Sequence, residues 1–136
     1  MKVVFDTGVV LSSAGLRHEA YACLVLVARR RVFPYATADT LDELLRIARR
    51  MQAEGAFPQD PRPILDWYRR SVRLVEPVPL GKPRSRDPKD DPFPGCAVAA
   101  HATYIVSRDG DLLDLRKPFG IEIVTPRALL RRLTSI

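Results

Sequence analysis

Cysteine and histidine are scarce in this chain, with two of each: Cys23, Cys96, His18 and His101. The cysteines stand far apart in apolar surroundings with no CxxC or Cys/His spacing, so neither a zinc site nor a disulfide is indicated and both read as reduced core residues. Long apolar runs are also missing. Nothing approaches the roughly 20 residues that span a bilayer, and Asp6 interrupts the first apolar stretch too early for a secretory signal. The expectation is a soluble, cytoplasmic protein. There is no GxSxG element with a companion histidine, which leaves Ser12 and Ser13 as local hydrogen-bonding residues. Internal repeats and low-complexity tracts are absent, and 136 residues suit a single domain over 1–136.

What the chain has in excess is positive charge. The formal net charge is +6 and the pI about 9.8, which favours an anionic partner, nucleic acid being the commonest. The cations cluster at Arg29-Arg30-Arg31, Arg49-Arg50, Arg69-Arg70 and Arg131-Arg132, and again at Lys82, Arg84, Arg86 and Lys89. Most of these pairs fall at expected helix ends, where cations also suit the helix dipole. Each pair has both readings open to it.

Apolar periodicity orders the rest. Val3 to Phe5 reads as a short strand buried on both faces. A helix is expected over 17–30, a strand over 33–37, and an amphipathic helix over 40–53 from the recurrence of Leu41, Leu44, Leu45, Ala48 and Met51, ended by Gly55. A further helix opens at Asp60-Pro61 and a third strand runs from Val72 to Val75. Half of the 12 prolines lie between Pro77 and Pro94, so 77–90 reads as a surface loop. With Asp91 as N-cap, Pro92 and Pro94 fall in the first turn of the next helix, where amide hydrogens have no intrahelical partner. A strand at 104–106, a short helix over 112–115, a strand at 120–124 and a last helix from Pro126 complete the pattern. Strands alternating with helices predict a three-layer α/β/α sandwich around a central parallel sheet of four to five strands.

In such folds ligands sit at the carboxyl ends of the strands. Asp6 falls at the end of the first strand, Asp109 just past the fourth, and Asp91 at the start of the helix feeding the fourth. Glu43 borders the apolar arc of its helix, whereas Asp42 projects with Arg46 and Arg49. Converging carboxylates repel unless a cation joins them. Oxygen donors without Cys or His suit a hard ion, Mg²⁺ or Mn²⁺, which would activate water for attack on a phosphodiester while the basic rim held the backbone.

The pieces VVFDTGVVLSSA (3–14), LDELLRI (41–47), DPKDDPF followed by CAVAA (87–100), YIVSRDGDLLDL (104–115) and GIEIVTP (120–126) resemble, in order, those of PIN-domain proteins. They are most similar to the subgroup regarded as toxins of toxin–antitoxin pairs. The resemblance implies a metal-dependent ribonuclease acting on RNA through Asp6, Glu43, Asp91 and Asp109, with Asp111 auxiliary. It further implies an antitoxin protein as partner and a homodimer. Two features depart from the family pattern: Gly8 stands where an Asn is usual, and Pro92 and Pro94 enter the Asp91 helix.

Other readings compete. Taken singly, Asp6 and Asp91 suit helix N-caps, Glu43 an ion pair with Arg46 or Arg50, Asp109 a turn before Gly110, and Asp111 a first-turn acid. A haloacid dehalogenase-like phosphatase needs a second acid where Gly8 stands. A catalytically degraded PIN-like module binding RNA or a protein remains an alternative, as does a plain antitoxin or scaffold, which leaves the ordered acids unexplained.

Overall fold

A computed structural model describes residues 1–15, 17–79 and 92–134. Lys2–Phe5 forms the first strand, β1, and its side chains alternate between two apolar clusters: Val3 and Phe5 enter one, Val4 the other. That alternation requires both sheet faces to be covered. The remaining strands are β2 (Phe33–Ala36), β3 (Arg73–Leu74), β4 (Tyr104–Val106) and β5 (Glu122–Val124). All pair in parallel in the order β3-β2-β1-β4-β5.

On one face lie α1 (Thr7–Ala14), α2 (His18–Ala28), α3 (Ala38–Ala53), α4 (Arg62–Ser71) and α7 (Pro126–Thr134), which bury Val9, Val10, Cys23, Leu24, Leu44, Tyr68 and Leu129 against Val3, Phe5, Val106 and Val124. On the other lie α5 (Pro92–Ala100) and α6 (Gly110–Leu113), whose Phe93, Cys96, Ala97 and Leu112 meet Val4, Ile105 and Ile123. The expected three-layer α/β/α arrangement is therefore the one observed. Both cysteines are free and buried.

Local chemistry explains the boundaries. At the start of α3 the Thr37 hydroxyl accepts from the Thr40 amide at 3.1 Å, and the Thr40 hydroxyl accepts from the Thr37 amide at 3.0 Å, a reciprocal cap. Gly55, with φ +73°, follows the C-cap Glu54 in the left-handed conformation that stops this helix. Pro92 and Pro94 do occupy the first turn of α5. Gly95 on α5 lets the chain pack closely: a Cβ there would lie 2.8 Å from the Val78 carbonyl oxygen, and the Val78 amide donates to the Gly95 carbonyl at 3.1 Å.

Several expected bounds shift: the third strand shortens to Arg73–Leu74 and α3 begins at Ala38, and three further differences have a local cause. Helix α1 lies in a stretch to which the sequence assigned no element, because Gly8, Val9 and Val10 are poor helix formers and eight residues carry barely two turns of pattern. The short helix after β4 begins at Gly110, earlier than expected, because Asp109 caps it. Strand β5 begins at Glu122, later than expected, because Phe119 (φ 54°) and Gly120 (φ 78°) turn the backbone away from extended geometry. Residues 80–91, which hold most of the expected loop, its four cations and the Asp91 cap, lie outside the described residues.

Candidate functional site

Strands β1 and β4 are neighbours at the centre of the sheet, with Phe5 opposite Val106. The first residue past each, Asp6 and Ser107, therefore leaves the sheet at the same carboxyl edge. The Asp6 amide donates to the Val106 carbonyl (2.9 Å) and the Ser107 amide to the Val124 carbonyl (2.9 Å), which fixes both backbones against the sheet.

Side chains then complete a chain of hydrogen bonds. The fully buried Ser107 hydroxyl donates to Asp6 Oδ2 at 2.7 Å and accepts from the Asp109 amide at 2.9 Å; Asp109 Oδ1 accepts from the Asp111 amide at 2.8 Å. Asp109 thus caps α6 and stands beside Asp6. Asp6 occupies the N-cap position of α1 but makes no side-chain capping hydrogen bond.

The electrostatics follow from that placement. Burial pushes the Asp6 carboxyl above its ordinary range; the Ser107 hydrogen bond opposes the rise, the Asp109 charge adds to it, and the Gly8 and Thr7 amides oppose it. The ionised form of Asp6 is therefore destabilised, and a cation would relieve both causes.

The other candidate acids are less closely joined. Glu43 is half-buried on α3 and makes no hydrogen bond or ion pair with a described residue, so the Arg46 and Arg50 pairings are not formed. It borders an open surface concavity with Asp39, Asp42, Arg46 and Arg49. One turn earlier, Thr40 lines a narrow cleft with Phe5 and Thr7, so α3 runs beside the residues that flank Asp6. Asp111 is tied through its backbone to Asp109. Asp91 lies outside the described residues. Among the described residues, no group of three or more His, Cys, Asp or Glu side chains is placed to hold a metal ion. What they supply is the Asp6–Asp109 pair.

The sequence reading passed over Ser107. The available signal was positional: a hydroxyl residue directly after an apolar strand and two before an acid, level with Asp6 in the adjacent strand.

A parallel α/β sandwich that brings a buried Asp6 and a half-buried Asp109 to one carboxyl edge belongs to the class of open α/β folds whose ligand crevice lies at that edge, here lined by carboxylates. A family model described as PIN domain matches residues 2–111, and the chain belongs to that family. No curated protein and no solved structure matches the chain. PIN domains are typically nucleases and generally use divalent metal ions. The donors here fit such an ion: carboxylate oxygens, one of them buried and electrostatically penalised, with neither sulfur nor imidazole among them.

Proposed function

We propose that the protein is a metal-dependent endoribonuclease and the toxin of a toxin–antitoxin pair. The observation carrying the nuclease reading is the Asp6–Ser107–Asp109 chain at the carboxyl edge of the sheet, in a member of the PIN-domain family. The toxin role rests on the likeness of the ordered motifs to those of that subgroup.

Asp6 and Asp109 would hold a Mg²⁺ or Mn²⁺ ion, with Glu43 and Asp91 as further ligands and Asp111 auxiliary. When bound, the ion supplies charge for the phosphate oxygens and a lowered pKa for water. The chain's own residues set the geometry. Ser107 holds one Asp6 oxygen in a fixed direction. The Asp111 amide fixes Asp109 Oδ1 through the α6 cap, so two carboxylates are oriented before any cation arrives. An RNA backbone supplies the anion that a chain of net charge +6 attracts.

The test is cleavage of labelled single-stranded RNA with Mn²⁺, Mg²⁺ or EDTA, by wild type, Asp6→Asn and Asp109→Asn. The expected result is metal-dependent cleavage lost in both variants. Cleavage that EDTA or the substitutions leave unchanged overturns the reading, and RNA binding without cleavage in any metal replaces it with the degraded module. An antitoxin that silences the activity, and a homodimer, are the partners this reading calls for.

A further inference from the structure

Glu19, near the start of α2, is a carboxylate shared by two guanidinium groups. Its Oε2 lies 3.9 Å from Arg108 and its Oε1 lies 4.0 Å from Arg127. Arg108 stands between Ser107 and Asp109, so its backbone is held by the two hydrogen bonds of the acidic chain. Arg127 is the second residue of α7, which follows β5, the strand beyond β4. Both arginines therefore lie on the carboxyl edge, one and two strands from Asp6, with neighbouring strands about 4.8 Å apart. Their side chains are 42% and 66% exposed, and that of Glu19 is 38% exposed.

Three facts make this cluster more than surface decoration. One negative charge faces two positive ones, so it carries an excess of one cation. Both contacts sit at the outer limit for an ion pair, and exposed pairs of that kind contribute at most about 1 kcal/mol, so each is readily exchanged. The guanidinium fork matches the geometry of a phosphate as well as it does a carboxylate.

We infer that Arg108 and Arg127 form a binding subsite for an RNA backbone phosphate next to the one at Asp6 and Asp109. Glu19 occupies it in the free protein as a carboxylate stand-in that the phosphate displaces. This rests on the nuclease reading and adds to it the direction in which the strand runs, from Asp6 outward over β4 and β5. Arg108 and Arg127 are then binding residues, and Glu19 restrains both, setting how tightly the backbone is held.

Binding of a labelled single-stranded oligouridylate to the full chain in EDTA, by anisotropy across a salt series, separates recognition from cleavage. Arg108→Ala and Arg127→Ala each remove one contact; the salt slope should fall by about 0.7, equivalent to roughly fivefold weaker binding at 0.1 M salt. Glu19→Gln should tighten binding by a similar factor, an effect that a merely structural role for Glu19 does not produce. Arg29→Ala, which removes the same charge from the far end of α2, is the control and should move affinity less than twofold. If wild type binds RNA while Arg108→Ala and Arg127→Ala match it in affinity and slope, or Glu19→Gln does not tighten binding, this inference fails and the nuclease reading stands. If wild type binds no RNA at any salt in EDTA, this inference fails, and if it also cleaves none with Mn²⁺ or Mg²⁺, the nuclease reading fails with it.

Discussion

Replacing Ser107 with alanine deletes a single oxygen from a fully buried position, yet that oxygen makes two hydrogen bonds, to Asp6 Oδ2 and from the Asp109 amide. The bond to the buried carboxylate is of the charged kind, worth about 1.5–3 kcal/mol, and an amide left without a partner in a half-buried setting adds up to about 1 kcal/mol. A loss of roughly 2–4 kcal/mol follows, which for a chain of this size lowers Tm by about 10 °C. Thermal and urea unfolding in EDTA at pH 7 measures it. The reasoning also fixes how the loss depends on Asp6. With Asp6→Asn already present the hydroxyl meets a neutral amide oxygen, so Ser107→Ala should cost at least about 1 kcal/mol less than in wild type. A loss below about 0.5 kcal/mol, or one of equal size in both backgrounds, would refute the account of Ser107 as the support of a buried charge.

Other expectations follow from the same geometry. Because the folded Asp6 pKa is raised, apo stability contributed by this group is fullest below about pH 4 and falls as pH climbs through the folded value. In EDTA, Asp6→Asn should therefore gain on wild type as pH rises to 7 and lose that gain on acidification, as read by Tm at several pH values. Mn²⁺ at a hundredfold excess over its Kd should stabilise wild type by about 2.7 kcal/mol and Asp6→Asn far less, by calorimetry. Glu43→Gln should abolish RNA cleavage while leaving stability within about 0.5 kcal/mol, since Glu43 has no partner among the described residues; a large stability loss would mean that it is structural. Gly95→Ala should destabilise by about 1–3 kcal/mol, because its Cβ would collide with the Val78 carbonyl; urea unfolding decides.

The sheet was legible in the sequence because its central strands β1, β4 and β5 lie in short apolar runs, and because alternation with helices leaves few topologies. Asp6 and Asp109 were legible for a related reason: an acid directly after an apolar strand, or within three residues of its end, stands out, and the parallel arrangement brings both to one edge. Ser107 was not, because a serine after a strand is ordinary in composition and its importance comes only from the register of β1 against β4. Glu19 was equally silent. It is a first-turn acid of α2, a position that helix electrostatics alone would explain, and only the tertiary packing shows Arg108 and Arg127 beside it.

The bond from Ser107 to Asp6 spans 101 positions of chain. During synthesis, Asp6 emerges early and waits without the residue that orients it, because β4 and Ser107 come long after. Pairing β4 beside β1 is non-local and closes only when most of the sheet is ready. The acidic pair therefore does not exist on a growing chain until β4 has been made and paired: the two acids are residues of one chain long before they are neighbours, and a truncation before residue 109 could not form the pair however well its first half folded.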